Sequence, residues 1–120
     1  MYIHTFERLD VWQLSRKLAV AIYKVCANFP KEEMFGLSNQ LKRAAISVAS
    51  NIAEGTSRIS GKDKAHFSTI AFASLMELLN QLIIANDLGF LETEKLAELR
   101  VSINEISNKL NALRRSQLNS

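Results

Sequence analysis

At 120 residues, 48% apolar and with one proline and four glycines, the chain is sized for one domain with its own core and composed for helix. Fifteen Lys and Arg against twelve Asp and Glu leave a net charge of +3, which permits nucleic-acid binding without demanding it. A lone cysteine, Cys26, excludes an internal disulfide, and two histidines exclude most His-rich metal sites.

The opening residues lack an apolar h-region and a small-residue cleavage site, so no signal peptide is expected. A first helix is predicted from about residue 10 to 29, with Asp10 as N-cap and Pro30 as its stop. Val11, Leu14, Leu18, Ile22, Val25 and Phe29 recur every three or four positions and share one face. Cys26 falls on that apolar face as a buried, inert thiol. Trp12, Ala19 and Tyr23 form a flanking stripe. Trp12 and Tyr23, with Arg16 between them, suit a subunit interface better than base stacking.

A connection containing Gly36 leads to a second helix, about residues 38 to 54, with Leu41, Ala45, Val48 and Ile52 as its core stripe. Ala44, Ala45, Ala49 and Ala53 are small enough for a neighbouring helix to come close. The helix closes on Ser50-Asn51-Ile52-Ala53-Glu54-Gly55, polar groups set among Ile and Ala. Gly55 suits the left-handed position that ends a helix. Asn51 and Glu54 suit a structural network at the junction with the next helix, and a buried Glu54 would need Arg43, Arg58, Lys62 or a backbone amide as partner.

A polar turn follows, in which Ser60 and Asp63 resemble a capping box, and a third helix runs from about 61 to 88, stopped by Gly89. Glu77, Asn80 and Gln81 interrupt its apolar run and argue against a membrane span. Phe67, Ala71, Leu75, Leu78 and Leu82 cover one side and Phe72, Met76, Leu79 and Ile83 the next, an arc of roughly 200° at ~100° per residue. That is about twice what an outer helix of a monomeric bundle needs, so Phe72, Met76, Leu79 and Ile83 are expected at a subunit interface. A fourth helix, about 93 to 115, carries Leu96, Leu99, Ile103, Ile106, Leu110 and Leu113 in a 3-4-3-4-3 seam. Short connections between long amphipathic helices predict an all-α, up-down-up-down, left-handed four-helix bundle over residues 1–120.

Chemistry is sparse. Asp63-x-x-His66 occurs once, short of the two Glu-x-x-His helices of a di-iron site. There is no Gly-x-Ser-x-Gly elbow and no phosphate-cradling glycine loop. No metal, cofactor or enzymatic activity is expected. A small enzyme would need Glu54, Glu77 and His66 to converge. Basic residues flank the turn between helices two and three (Lys42, Arg43, Arg58, Lys62, Lys64) and crowd the end of helix four (Lys109, Arg114, Arg115). Repeated around an oligomer, such patches would hold phosphate through avidity, with steep salt dependence.

Leu9-Asp10-Val11-Trp12-Gln13, Phe35-Gly36-Leu37, Gln40 to Ala45, Ser47 to Gly55 and Ala73-Ser74-Leu75-Met76-Glu77-Leu78 carry a family likeness. Over roughly residues 6 to 115 the chain resembles the four-helix-bundle proteins encoded in intervening sequences of bacterial 23S rRNA genes. The same family includes the accessory variability determinant of diversity-generating retroelements. Ala73 stands where a glycine is expected. The resemblance implies a homopentameric ring. It also implies that the retroelement relatives bind nucleic acid and a reverse transcriptase through a basic surface. The expected function is a cytoplasmic, non-enzymatic RNA- or DNA-binding accessory protein contacting phosphates through Lys42, Arg43, Arg58, Lys62, Lys64, Arg114 and Arg115. The alternative is a protein-binding scaffold.

Overall fold

The structure is a computed structural model covering residues 1–120, with four α-helices and no strands. They are α1 (Asp10–Cys26), α2 (Leu37–Thr56), α3 (Gly61–Asp87) and α4 (Thr93–Leu118), preceded by a 3-10 turn at Thr5–Arg8 and with a second at Lys31–Glu33. The bundle measures 45 × 30 × 20 Å.

One contiguous core fills it. Ile22 from α1, Leu41, Val48 and Ile52 from α2, Leu75, Leu78 and Leu82 from α3, and Ile103, Ile106 and Leu110 from α4 are all but sealed from solvent. These are the predicted core stripes of the four helices. Burying each such side chain contributes about 1.5–3 kcal/mol relative to leaving it exposed.

α1 ends a turn earlier than its apolar pattern. Asn28 and Phe29 donate to the carbonyls of Val25 and Cys26, three residues back, which tightens the chain before Pro30. Phe29 remains buried, with its ring 5.8 Å from that of Phe90. Asp10 is the first helical residue and caps nothing with its side chain. Its carboxylate reaches across the bundle to Lys109 of α4, at 2.7 Å, because α1 begins where α4 ends.

Gly55 is not the left-handed terminator that its position suggested. Gly89 is the one residue with positive φ, at 81°, and Phe90 donates back to the carbonyl of Ala85 beyond it, closing α3. Gly55 is helical and buried. A Cβ there would stand 2.9 Å from the Cβ of Phe67 and 3.3 Å from the carbonyl oxygen of Lys64. Glycine at 55 therefore lets α2 and α3 touch. At Gly61 a Cβ would overlap the Gln117 carbonyl oxygen, so the start of α3 lies equally close to the end of α4. Ser60 caps α3 by accepting from the Asp63 amide at 3.1 Å.

By length and composition α3 is the one helix apolar enough to cross a bilayer. In the bundle its wide arc serves two neighbours. Ser74 faces α2, Ser68 and Thr69 face α4, and Ala71, Leu75, Leu78 and Leu82 lie between them with no exposure. Phe72, Met76, Leu79 and Ile83 are half-buried against the chain's own core, as is Trp12. A subunit interface is not needed to account for the whole arc.

Candidate nucleic-acid interface

Three helix ends meet at one pole of the bundle. Gly55 and Phe67 press α2 against α3, Gly61 and the Gln117 backbone press α3 against α4, and the buried Ser68 hydroxyl donates to the side-chain Oε1 of Gln117 at 2.6 Å. Arg58, Lys62, Lys64, Arg114 and Arg115 are gathered there. Arg58 pairs with Glu54 at 3.0 Å and lies over the Phe67 ring, 4.5 Å from its centroid. Arg114 donates to Asn111 at 3.0 Å and to Thr69 at 3.5 Å, and its guanidinium lies 5.8 Å from the centroid of Phe72. Lys62 and Arg115 are exposed, and Lys64 is half-buried. No acidic residue occurs between Ile106 and Ser120. The opposite pole carries Glu32, Glu33, Asp87, Glu92, Glu94 and Glu98 against Lys24, Lys31 and Lys95.

Two kinds of cation meet at the basic pole. Arg114 and Arg115 lie near the C-terminus of α4, where a cation is favoured by the helix dipole in any case. Lys62 and Lys64 flank the exposed Asp63 at the start of α3, where the same dipole favours the acid and disfavours the two lysines. Helix stabilisation does not explain these two lysines.

Lys42 and Arg43 stand apart from that pole. They precede Arg58 on α2 by about four turns, or roughly 22 Å. They also part from each other. Lys42 turns toward α1, with its ammonium 5.0 Å from the centroid of Tyr23, which leaves Tyr23 half exposed. Arg43 turns toward α3 and lines a cleft of about 330 Å³ with Asn39, Gln40, Ser47, Ser74 and Glu77.

The Ser50–Gly55 segment has a different division of labour from the expected one. Asn51 donates to the carbonyl of Ser47 at 2.8 Å and to its hydroxyl at 3.0 Å. The Ser47 and Ser74 hydroxyls share a hydrogen bond of 2.8 Å across the α2/α3 seam. Ser47, not the exposed Ser50, joins the helices. Its four-residue spacing from Asn51 was visible in sequence, whereas its pairing with Ser74 was not. Glu54 is exposed rather than buried, and its partner is Arg58. Glu77 accepts from Gln81 at 3.2 Å, and the Gln81 carbonyl oxygen is buried without a partner.

Glu54, Glu77 and His66 do not converge. The Ser47–Ser74 and Gly55–Phe67 contacts fix the α2/α3 register, which sets Glu77 about 15 Å along the bundle from Glu54. His66 is exposed, edge-on to Phe67. Three acidic, His or Cys side chains come together nowhere in a way that could hold a metal ion. Cys26 is buried and donates to the Ser38 carbonyl at 3.8 Å. Burial pushes its thiol up, and the nearby Lys42 and the Ser38 contact oppose that shift.

A family model for 23S rRNA-intervening sequence proteins matches residues 7–112. The chain belongs to that family. Its fold is also similar to the crystal structure of a protein of unknown function from the S23 ribosomal protein family of Bacteroides thetaiotaomicron. The identity is 24%, the TM-score 0.78, and the match covers 87% of this chain and 97% of that one. No curated protein matches the chain. Within this intervening-sequence family member, the Asn51-to-Gly55 string sits where α2 and α3 come closest, just before the basic pole.

Proposed function

We propose that the chain is a non-enzymatic, cytoplasmic accessory protein that assembles with itself, as a pentameric ring, and binds RNA or DNA through its basic pole. The observation that carries this is the placement of Lys62 and Lys64 in the first turn of α3 beside Arg58, Arg114 and Arg115. A helix N-terminus already offers amide N–H groups and positive potential to an anion, and two lysines set against their own helix's preference add to it. Phosphate oxygens supply the matching ligand. Base edges are not required, so binding is tolerant of sequence. One subunit offers few contacts, and repetition around an oligomer raises them through avidity. A reverse transcriptase or another protein would be a second partner, as in the retroelement branch of the family. A protein-binding scaffold without nucleic acid is the competing function, and salt separates the two.

The test is light scattering on purified protein with in-line absorbance at two wavelengths, followed by filter binding to single- and double-stranded probes across a salt series. An oligomer carrying nucleic acid that salt strips away is the expected outcome. Lys62→Glu with Lys64→Glu should weaken binding on all sequences and flatten the salt dependence by about two contacts' worth. A salt-independent affinity, or one unchanged in that variant, refutes the proposed interface.

A further inference from the structure

A groove of about 800 Å³ opens between α1 and the start of α4, with Val20, Ala21 and Phe90 in its lining and Lys17, Lys24, Lys95 and one acid, Glu92, around it. The outward side of α1 carries Arg16, Lys17, Val20 and Lys24, with Val20 51% exposed. None of these three cations has a carboxylate within ion-pair distance, and Arg16 lies over Trp12 instead. The outward side of α4 carries Glu94, Glu98, Val101 and Glu105, with Val101 69% exposed. Glu98 leans on Lys95 at 3.2 Å and remains 69% exposed, while Glu94 and Glu105 form no ion pair, although Glu105 is near enough to Lys109 for its charge to act on that ammonium. Each row is a charged stripe of one sign around a single exposed valine. The two stripes are opposite in sign.

Resting on the oligomeric part of the function proposed above, we propose that a second copy of this chain lays its α4 row along the α1 row, at the edge of the groove. Register supports the pairing. Within one chain, Asp10 is level with Lys109, and antiparallel packing of α1 on α4 carries that register on to Lys17 beside Ser102 and Lys24 beside Lys95, pairs that share the two grooves along this seam. Any rotation axis parallel to the helices keeps every residue at its own height. A neighbour generated by such an axis therefore presents Val101 within about two residues, or ~3 Å, of the level of Val20. Glu94 falls about one residue from the level of Lys24, and Glu105 about three from that of Lys17, within reach of a lysine side chain. α1 and the neighbour's α4 run antiparallel, as α1 and α4 do within the chain. Charges of this kind set partner choice and register, while the valines are the apolar contact they enclose.

The experiment is light scattering on the full chain at low and high ionic strength, with circular dichroism confirming that each variant is folded. Wild type is expected to run as an oligomer at low salt and to lose mass as salt rises. Lys17→Glu with Lys24→Glu is expected to run at monomer mass. Adding Glu94→Lys and Glu105→Lys to that same chain reverses the Lys24/Glu94 and Lys17/Glu105 pairs and should restore the oligomer. A folded Lys17→Glu, Lys24→Glu chain of wild-type mass overturns the proposal. So does a folded four-substitution chain that stays monomeric. A wild type that is monomeric at every salt concentration also overturns it, and leaves the groove to another protein. Probe binding on the same preparations should fall with the oligomer and return with it, because repetition of the basic pole supplies the avidity and none of the four exchanged residues lies at that pole.

Discussion

Replacing Gly55 by alanine should destabilise the protein, although alanine is the better helix former. In an exposed helix interior that exchange would stabilise by about 0.8–1 kcal/mol. Here the added methyl would sit 2.9 Å from the Cβ of Phe67 and 3.3 Å from the Lys64 carbonyl oxygen. Neither atom is the free end of a flexible side chain, so α2 and α3 must separate by a few tenths of an ångström along a close-packed seam. Overpacking of this kind costs typically 1–3 kcal/mol. Subtracting the propensity gain leaves a net loss of about 1 kcal/mol, up to about 2. For a chain of this length that corresponds to a melting temperature lower by roughly 3–10 °C, measurable by calorimetry or by circular dichroism. Urea titration should show a lower midpoint with an unchanged slope. A Gly55→Ala protein that melts above wild type would refute the close-contact account.

Three further outcomes follow from the same structure. Asn51→Ala should cost about 1 kcal/mol by removing its two bonds to Ser47, whereas Glu54→Ala, at an exposed i,i+4 pair, should stay within about 0.5 kcal/mol; urea midpoints will rank them, and equal losses would contradict the network. Cys26 should react with iodoacetamide far more slowly than a free thiol near pH 8, because burial both covers it and disfavours its thiolate; labelling at the rate of the urea-unfolded chain would contradict that burial. The Lys109 ammonium is held above the ordinary lysine value of 10.5 by its hydrogen bond to Asp10 and by that carboxylate's charge. Its contribution to stability is therefore complete below the unfolded lysine pKa and fades as pH rises through the raised folded value. Melting curves of wild type and Lys109→Met should converge over that alkaline range, and parallel curves would exclude the linkage.

Much of the architecture was legible because it is local. Apolar residues at three- and four-residue steps marked the buried face of each helix, Ser60 marked the start of α3, and Gly89 marked its end. What sequence periodicity could not convey is the approach of one helix to another. Gly55 looked like a terminator because glycines usually are, and only the nearness of Phe67 shows why it must lack a side chain. Asp10 looked like a cap because its partner Lys109 is far away in the chain. Arg58 was one of several partners that a buried Glu54 would have needed, and the structure pairs the two at the exposed end of the helix. Basic residues were legible as a list, but their division was not. Lys42 and Arg43 face different helices, away from the pole where the other five gather. The cleft around Ser47 and Ser74, and the Lys17, Lys24 and Lys95 groove, went unseen because each combines residues from separate helices.

The uneven placement of charge along a rod 45 Å long has a kinetic meaning. At physiological ionic strength the Debye length is about 8 Å, so a polyanion near one tip is blind to the other. The acidic tip therefore does not weaken attraction at the basic tip, and a molecule of modest net charge can behave locally as a strong cation. For the proposed nucleic-acid binding, the basic tip would be the end that meets the phosphates, and it would feel them only within about a Debye length of contact. In that pose the acidic tip would face away from the strand.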